Sequence, residues 1–160
     1  MGEFMRIVSV GRDIEAPADL IFELIADPAR QPEWDANDNL VEAAPGQRVR
    51  AVGDVFTMTI STGAQRHNHV VEFTEGRLIA WQPSEPDSSP PGHLWRWELE
   101  PLSETRTLVI HTYDWSRLTD EARMTRARDT TGDKLKASLD RLATLVELSG
   151  RSRPAGTGRP

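Results

Sequence analysis

His67, Asn68 and His69 set two imidazoles two residues apart, and His111 is followed two residues later by Tyr113. Residues two apart on a β-strand point the same way, so each pair would present its groups to one face. The first pair could hold a metal ion, with His111 or a carboxylate as a third ligand. The second pair offers different chemistry. An imidazole titrates near neutrality and can remove an acidic α-proton, while a phenol can donate to the enolate or ketone oxygen that results.

The metal reading fails on spacing. A cupin-type site asks for a glutamate where this chain has Phe73 or Thr74, whereas the acids stand at Glu72 and Glu75. His93 also follows Pro90-Pro91-Gly92 one step too soon for the second half of such a site. No metal is expected. Neither a Gly-rich phosphate loop, a nucleophile elbow nor a zinc-protease helix is recognisable, so no cofactor is expected either.

Five tryptophans in 160 residues are many for so small a chain. A buried indole usually needs a partner for its N–H, so clustered ones suit a cavity for flat, partly polar molecules. Trp34 has two readings: a plug packing a helix onto a sheet, or part of a cavity mouth, where Asp35, Asn37 and Asp38 would add polar groups.

These groups need a scaffold, and 160 residues with 38% hydrophobic content fit one domain with a single core. A net charge of −6 repels a phosphate backbone, so nucleic acid is not an expected partner. The chain has no cysteine, which removes disulfides and thiolate chemistry. No apolar run is long enough to insert in a membrane, and a cytoplasmic protein is the default expectation. A homodimer is compatible with this composition.

Residues 1–4 precede Met5 and receive no functional weight. Phe4 to Arg12 alternates as a half-buried strand, with Val8 and Val10 on one face. Pro17 opens a helix whose apolar face is Leu20, Ile21, Leu24 and Ile25. Asp27-Pro28 ends it and starts a short second helix stopped near Pro32, after which PEWDANDN reads as a polar loop.

From Leu40 to Trp115, short alternating runs separated by turn signals read as an antiparallel meander. The inner faces are expected to be Phe56, Met58 and Ile60, then His67, His69, Val71 and Phe73, then Ile79 and Trp81. Trp95, Trp97 and Leu99 follow, and then Val109, His111, Tyr113 and Trp115. Residues 83–92 read as a mobile rim loop. A helical region over 119–148 follows, bent near Gly132, with Leu135, Leu139, Leu142 and Val146 as one apolar stripe. Residues 1–148 form the expected domain, and 149–160, rich in Gly, Pro and Arg, the expected disordered tail.

The order of elements, together with IEAPADLIFELIADPARQPEWD, EFTEGRLIAW and LVIHTYDWS, resembles the SRPBCC or START-like superfamily in its polyketide cyclase/dehydrase branch. The resemblance covers about residues 5 to 148. It implies an α+β helix-grip fold: a curved antiparallel sheet of about seven strands around the C-terminal helix, with two short helices after the first strand. An apolar cavity between sheet and helix would bind a small hydrophobic or aromatic ligand.

Expected ligand-binding residues on the sheet are Phe56, Met58, His69, Val71, Trp81 and Trp95, joined by Trp97 and Val109. Trp34, Leu135, Leu139 and Leu142 complete the set from the helices. Two functions follow from different classes. The first is a carrier or sensor without chemistry. The second is a polyketide cyclase/dehydratase, with His111 as base and Tyr113 as oxyanion donor. A tryptophan at Leu139 is expected to shrink the cavity without unfolding the protein.

Overall fold

The computed structural model describes the backbone of residues 6–37 and 40–157 and the side chains of these residues up to 147. Strand β1 (Ile7–Ile14) leads into α1 (Ala18–Ala26), a 3-10 turn (Pro28–Arg30) and α2 (Gln31–Trp34). Strands β2 (Leu40–Glu42), β3 (Val55–Ile60), β4 (Gln65–Thr74), β5 (Leu78–Ser84), β6 (Leu94–Ser103) and β7 (Arg106–Asp114) follow. Helices α3 (Glu121–Arg128) and α4 (Gly132–Thr157) close the described chain. All seven strands form one sheet in the order β1-β7-β6-β5-β4-β3-β2, with every pair antiparallel. This is the expected α+β helix-grip architecture.

The first helices obey their local signals. Asp27 caps the 3-10 turn by accepting from the Ala29 N–H at 3.2 Å, as Asp27-Pro28 predicts. Pro32 does not stop the next helix. It lies in the first turn of α2, where a missing N–H costs nothing, so the helix runs on to Trp34 and the loop begins after it. β1 starts at Ile7 and runs to Ile14, beyond the expected end at Arg12. Phe4 and Asp38 lie outside the described residues.

Helix α4 packs on β1 and β7 and touches α1 and α2. Leu135, Leu139, Leu142 and Val146 are all buried, as their helical spacing requires. The expected bend is a break: α3 ends at Arg128 and α4 begins at Gly132, where an added Cβ would lie 3.4 Å from Val10 Cγ1. The glycine lets the helix start close against β1. Asp140 then ties α4 to β1 through Arg12 at 2.6 Å and accepts from Lys136 at 2.9 Å. The α4 backbone continues past Leu148 to Thr157, while residues 158–160 of the expected tail lie outside the described residues.

The expected face of β4 is corrected by one irregularity. Asn68 pairs with Pro83 and Val70 with Trp81, but a register shift between Val70 and Glu72 then brings Phe73 opposite Ile79. An extra residue in a strand reverses which side chains face inward. Asn68 and Val70 are therefore buried before the shift and Phe73 packs inward after it, while Val71 is exposed. His67 and His69 consequently lie on the outer face, where the His69 Nε2 is 3.0 Å from the Ser84 hydroxyl. Glu72 stays outside and forms a two-pronged ion pair with Arg96, at 2.7 and 2.9 Å.

Candidate functional site

The remaining strands place large residues inward in register. Trp81 pairs with Trp95 and Ile79 with Trp97 across β5 and β6. Trp95 in turn pairs with Tyr113, Trp97 with His111, and Leu99 with Val109 across β6 and β7. The β7 register chosen around Val109, His111, Tyr113 and Trp115 thus holds, since all four are buried, while Leu108 and Ile110 occupy the opposite parity.

Between this aromatic wall and the helices lies a cavity of about 170 Å³. Trp81, Trp95, Trp97, His111 and Tyr113 line it from the central strands, and Met58, Ile60, Arg66 and Asn68 from β3 and β4. Gln31, Trp34, Asp35 and Asn37 come from α2 and the loop after it. The far rim is built by His93, Leu118, Arg123, Arg126, Thr130 and Ser138.

Both readings of Trp34 apply. Its indole N–H donates to the Leu24 carbonyl at 2.8 Å, which anchors α2 to α1. The same ring meets Trp97 edge-on, with centroids 5.1 Å apart, and lines the cavity. Such aromatic contacts add about 0.5–1.5 kcal/mol beyond the area they bury.

His111 is held on two sides. Its ring stacks on Trp97 with centroids 3.6 Å apart and an interplanar angle of 12°, and Trp95 lies 5.6 Å away at 21°. Nδ1 is 3.2 Å from the Arg96 carbonyl oxygen, which can only accept, so Nδ1 carries the proton and Nε2 the lone pair. Burial pushes the His111 pKa down to about 3, against the opposing pull of that hydrogen bond. Burial also drives Tyr113 up to about 12, while Arg126 and Arg123 oppose the rise. The phenol keeps its proton at neutral pH and the imidazole stays neutral.

His93 is pushed down to about 4, first by burial and then by the positive charges of Arg123, Arg126 and Arg66. Among the described residues, the His93 Nδ1 and the Trp97 Nε1 are buried with no hydrogen-bond partner in the protein. An unsatisfied buried polar atom costs about 1–3 kcal/mol, so both are unusual at a packed wall.

A family model described as polyketide cyclase / dehydrase and lipid transport matches residues 5–147. The chain belongs to this family. Solved structures carry the same fold. A protein from Mesorhizobium loti has a TM-score of 0.65 at 18% identity. A START superfamily protein from Mycobacterium smegmatis reaches 0.62 at 16%, and the Aha1 dimer from Colwellia psychrerythraea 0.62 at 18%. Each alignment covers 89% of this chain and 97% of the other.

An uncharacterized Mycobacterium tuberculosis protein is 31% identical over 111 residues, which is 68% of this chain and 47% of that protein. The chain spans about half the length of the curated relatives it matches. The START-like resemblance read from the sequence is thereby shown, at the level of family and fold.

Within this family cavity, Trp34, Met58, Trp81, Trp95 and Trp97 stand where the sequence reading put them, together with His111 and Tyr113. Phe56 and Val109 are buried behind the lining, Phe56 edge-on to Trp81 at 5.3 Å. His69 and Val71 are on the other face, because the β4 irregularity follows them. Leu135, Leu139 and Leu142 fill the core beside the cavity, and it is Ser138 that α4 presents to the space. Leu139→Trp is accordingly expected to overpack the core and cost about 1–3 kcal/mol in urea denaturation, instead of shrinking the cavity harmlessly.

The sequence reading missed Arg66, Asn68, His93, Arg123 and Arg126. One signal was available. Val70 and Phe73 both call for burial but stand an odd number of residues apart, which a strand permits only with an extra residue between them. That spacing would have turned Arg66 and Asn68 inward. The expected loop over 83–92 starts later, since Pro83 and Ser84 belong to β5, and Glu85 in that loop is tied to Arg123 at 2.7 Å.

Proposed function

We propose that the protein binds a small hydrophobic or aromatic molecule between its sheet and its helices, as a carrier or sensor. The observation that carries this reading is the cavity walled by Trp34, Trp81, Trp95 and Trp97. Flat indole faces supply large contact area with few rotatable bonds, which suits an aromatic ligand. The state of His111 favours binding over proton abstraction. A general base works best with a pKa near the working pH, and an imidazole held near 3 has little drive to take a proton.

Extraction of the purified protein followed by mass spectrometry is expected to release a small aromatic or lipid-like molecule. Calorimetric titration with 2-naphthamide provides the direct test. A two-ring ligand of this size is expected to bind with a Kd on the order of 0.1 mM, given roughly 0.4 kcal/mol per non-hydrogen atom. Trp95→Leu should weaken it about tenfold. No heat of binding for the wild type, with no co-purified molecule, would refute the reading.

A second reading, cyclisation and dehydration of a polyketide-like substrate, draws support from His111 and Tyr113 lining one cavity two residues apart. A short poly-β-ketone mimic distinguishes the two. Turnover lost in both His111→Ala and Tyr113→Phe would favour chemistry, and binding without turnover would favour the carrier.

A further inference from the structure

Three arginines from two separate elements border this cavity: Arg66 from β4, and Arg123 and Arg126 from α3. Their convergence is unexpected in a chain whose net charge is −6. A cavity for a purely apolar ligand has no use for them, because a guanidinium beside an apolar surface loses hydration without return. Arg123 is braced from outside. Its Nη2 donates to Glu85 at 2.7 Å and its Nε to Asp120 at 3.1 Å, and both carboxylates are more exposed than the arginine they hold. Such bracing fixes a guanidinium in place before any ligand arrives.

The acids outside do not cancel the charge felt inside. At His93 all three arginines oppose protonation, and at Tyr113 Arg126 and Arg123 act in the same sense. The potential on this side of the cavity is therefore positive. Beside it lies the His93 Nδ1, buried and without a partner in the protein, which can donate in its Nδ1–H tautomer. The one described carboxylate in the lining, Asp35, already accepts from the Leu40 N–H at 3.2 Å.

We propose that the ligand is an aromatic carboxylate, its ring lying among the indoles and its carboxylate received at the edge formed by Arg66, Arg123, Arg126 and His93. This rests on the reading of the cavity as a site for a small aromatic molecule, and adds the charge and orientation of that molecule. A planar carboxylate matches the donor fork of arginine, and a low-dielectric aromatic wall behind it strengthens the attraction.

The test compares 2-naphthoate with 2-naphthamide, which share a shape and differ in charge, by calorimetry at low and high salt. Wild type is expected to prefer 2-naphthoate about tenfold at 50 mM salt, with the preference shrinking at 500 mM. Arg66→Gln, Arg123→Gln and Arg126→Gln should each weaken 2-naphthoate about five-fold and leave 2-naphthamide within twofold. Arg126→Lys should retain part of the preference.

Equal affinity of wild type for the two ligands would overturn this inference while leaving the cavity reading intact. An equal loss of both ligands in all three glutamine variants would also overturn it, since the arginines would then act through shape. Binding of neither ligand would remove the cavity reading and this inference together. The wild-type comparison stands even if a variant folds poorly.

Discussion

Gly92→Ala is expected to lower stability by about 4 kcal/mol and to disturb ligand binding as well. Gly92 has φ +126, a region L residues rarely adopt. An added Cβ would lie 2.8 Å from the Arg117 carbonyl carbon, closer still to its oxygen, and 3.1 Å from the Leu118 Cα. These are backbone atoms, so no side-chain rotation relieves the contact, and the segment must move. Leu118 and His93 both line the cavity, which places the displacement at its rim.

Gly63→Ala is the control, because Gly63 also has positive φ, +90, but an added Cβ there meets nothing within 4 Å. It is expected to cost about 1 kcal/mol from backbone strain alone. Urea denaturation of the two variants separates conformation from contact. Similar losses would show that the approach of Arg117 is not what requires a glycine at 92.

Acidification from pH 7 to pH 5 is expected to cost up to about 4 kcal/mol, most of it through His111 and His93. The sign follows from their folded pKa values of about 3 and about 4, both below the ordinary 6.5. Between the folded and unfolded values, the unfolded chain binds protons that the folded chain refuses. Stability is complete above pH 6.5 and falls as the pH drops towards these folded values. At pH 5 each histidine contributes a loss of about 2 kcal/mol, at about 1.4 kcal/mol per pH unit.

The carboxylates do not confuse this window. Glu33, Glu72, Glu75 and Asp140 are held below the usual carboxylate range, chiefly by hydrogen bonds from Arg30, Arg96, Arg48 and Lys136 respectively, so their contribution is lost only at lower pH. His111→Phe keeps an aromatic ring between Trp97 and Trp95 but cannot take a proton. It should remove about half of the loss between pH 7 and pH 5, at the expense of about 1 kcal/mol at neutrality from the unpaired Arg96 carbonyl. Denaturation midpoints at pH 5, 6 and 7 read the slope. An unchanged slope in His111→Phe would show that the buried imidazole is not its source.

Much of the fold was legible because its signals are local. The alternation of β3, β5, β6 and β7 named the inner faces, and Asp27-Pro28 announced the break after α1. The stripe Leu135, Leu139, Leu142 and Val146 marked the buried face of α4. Pro32 misled because proline ends a helix from its interior but fits its first turn, and sequence alone does not say where that turn begins.

The amino-acid sequence by itself determined the family, the sheet-and-helix architecture and the tryptophans and β7 pair that line one wall of the cavity, because strand and helix periodicity choose a face without knowing the partner. The tertiary structure alone decided the rest. A single extra residue between Val70 and Glu72 turned His69 outward and Arg66 inward, and the contact of α4 with β1 and β7 put its leucines in the core and Ser138 at the space. The basic edge joins residues about sixty positions apart in the chain, from β4 and α3, whose nearness no local pattern encodes. A cavity is the space that packed elements leave between them, so its polarity emerges only when they meet.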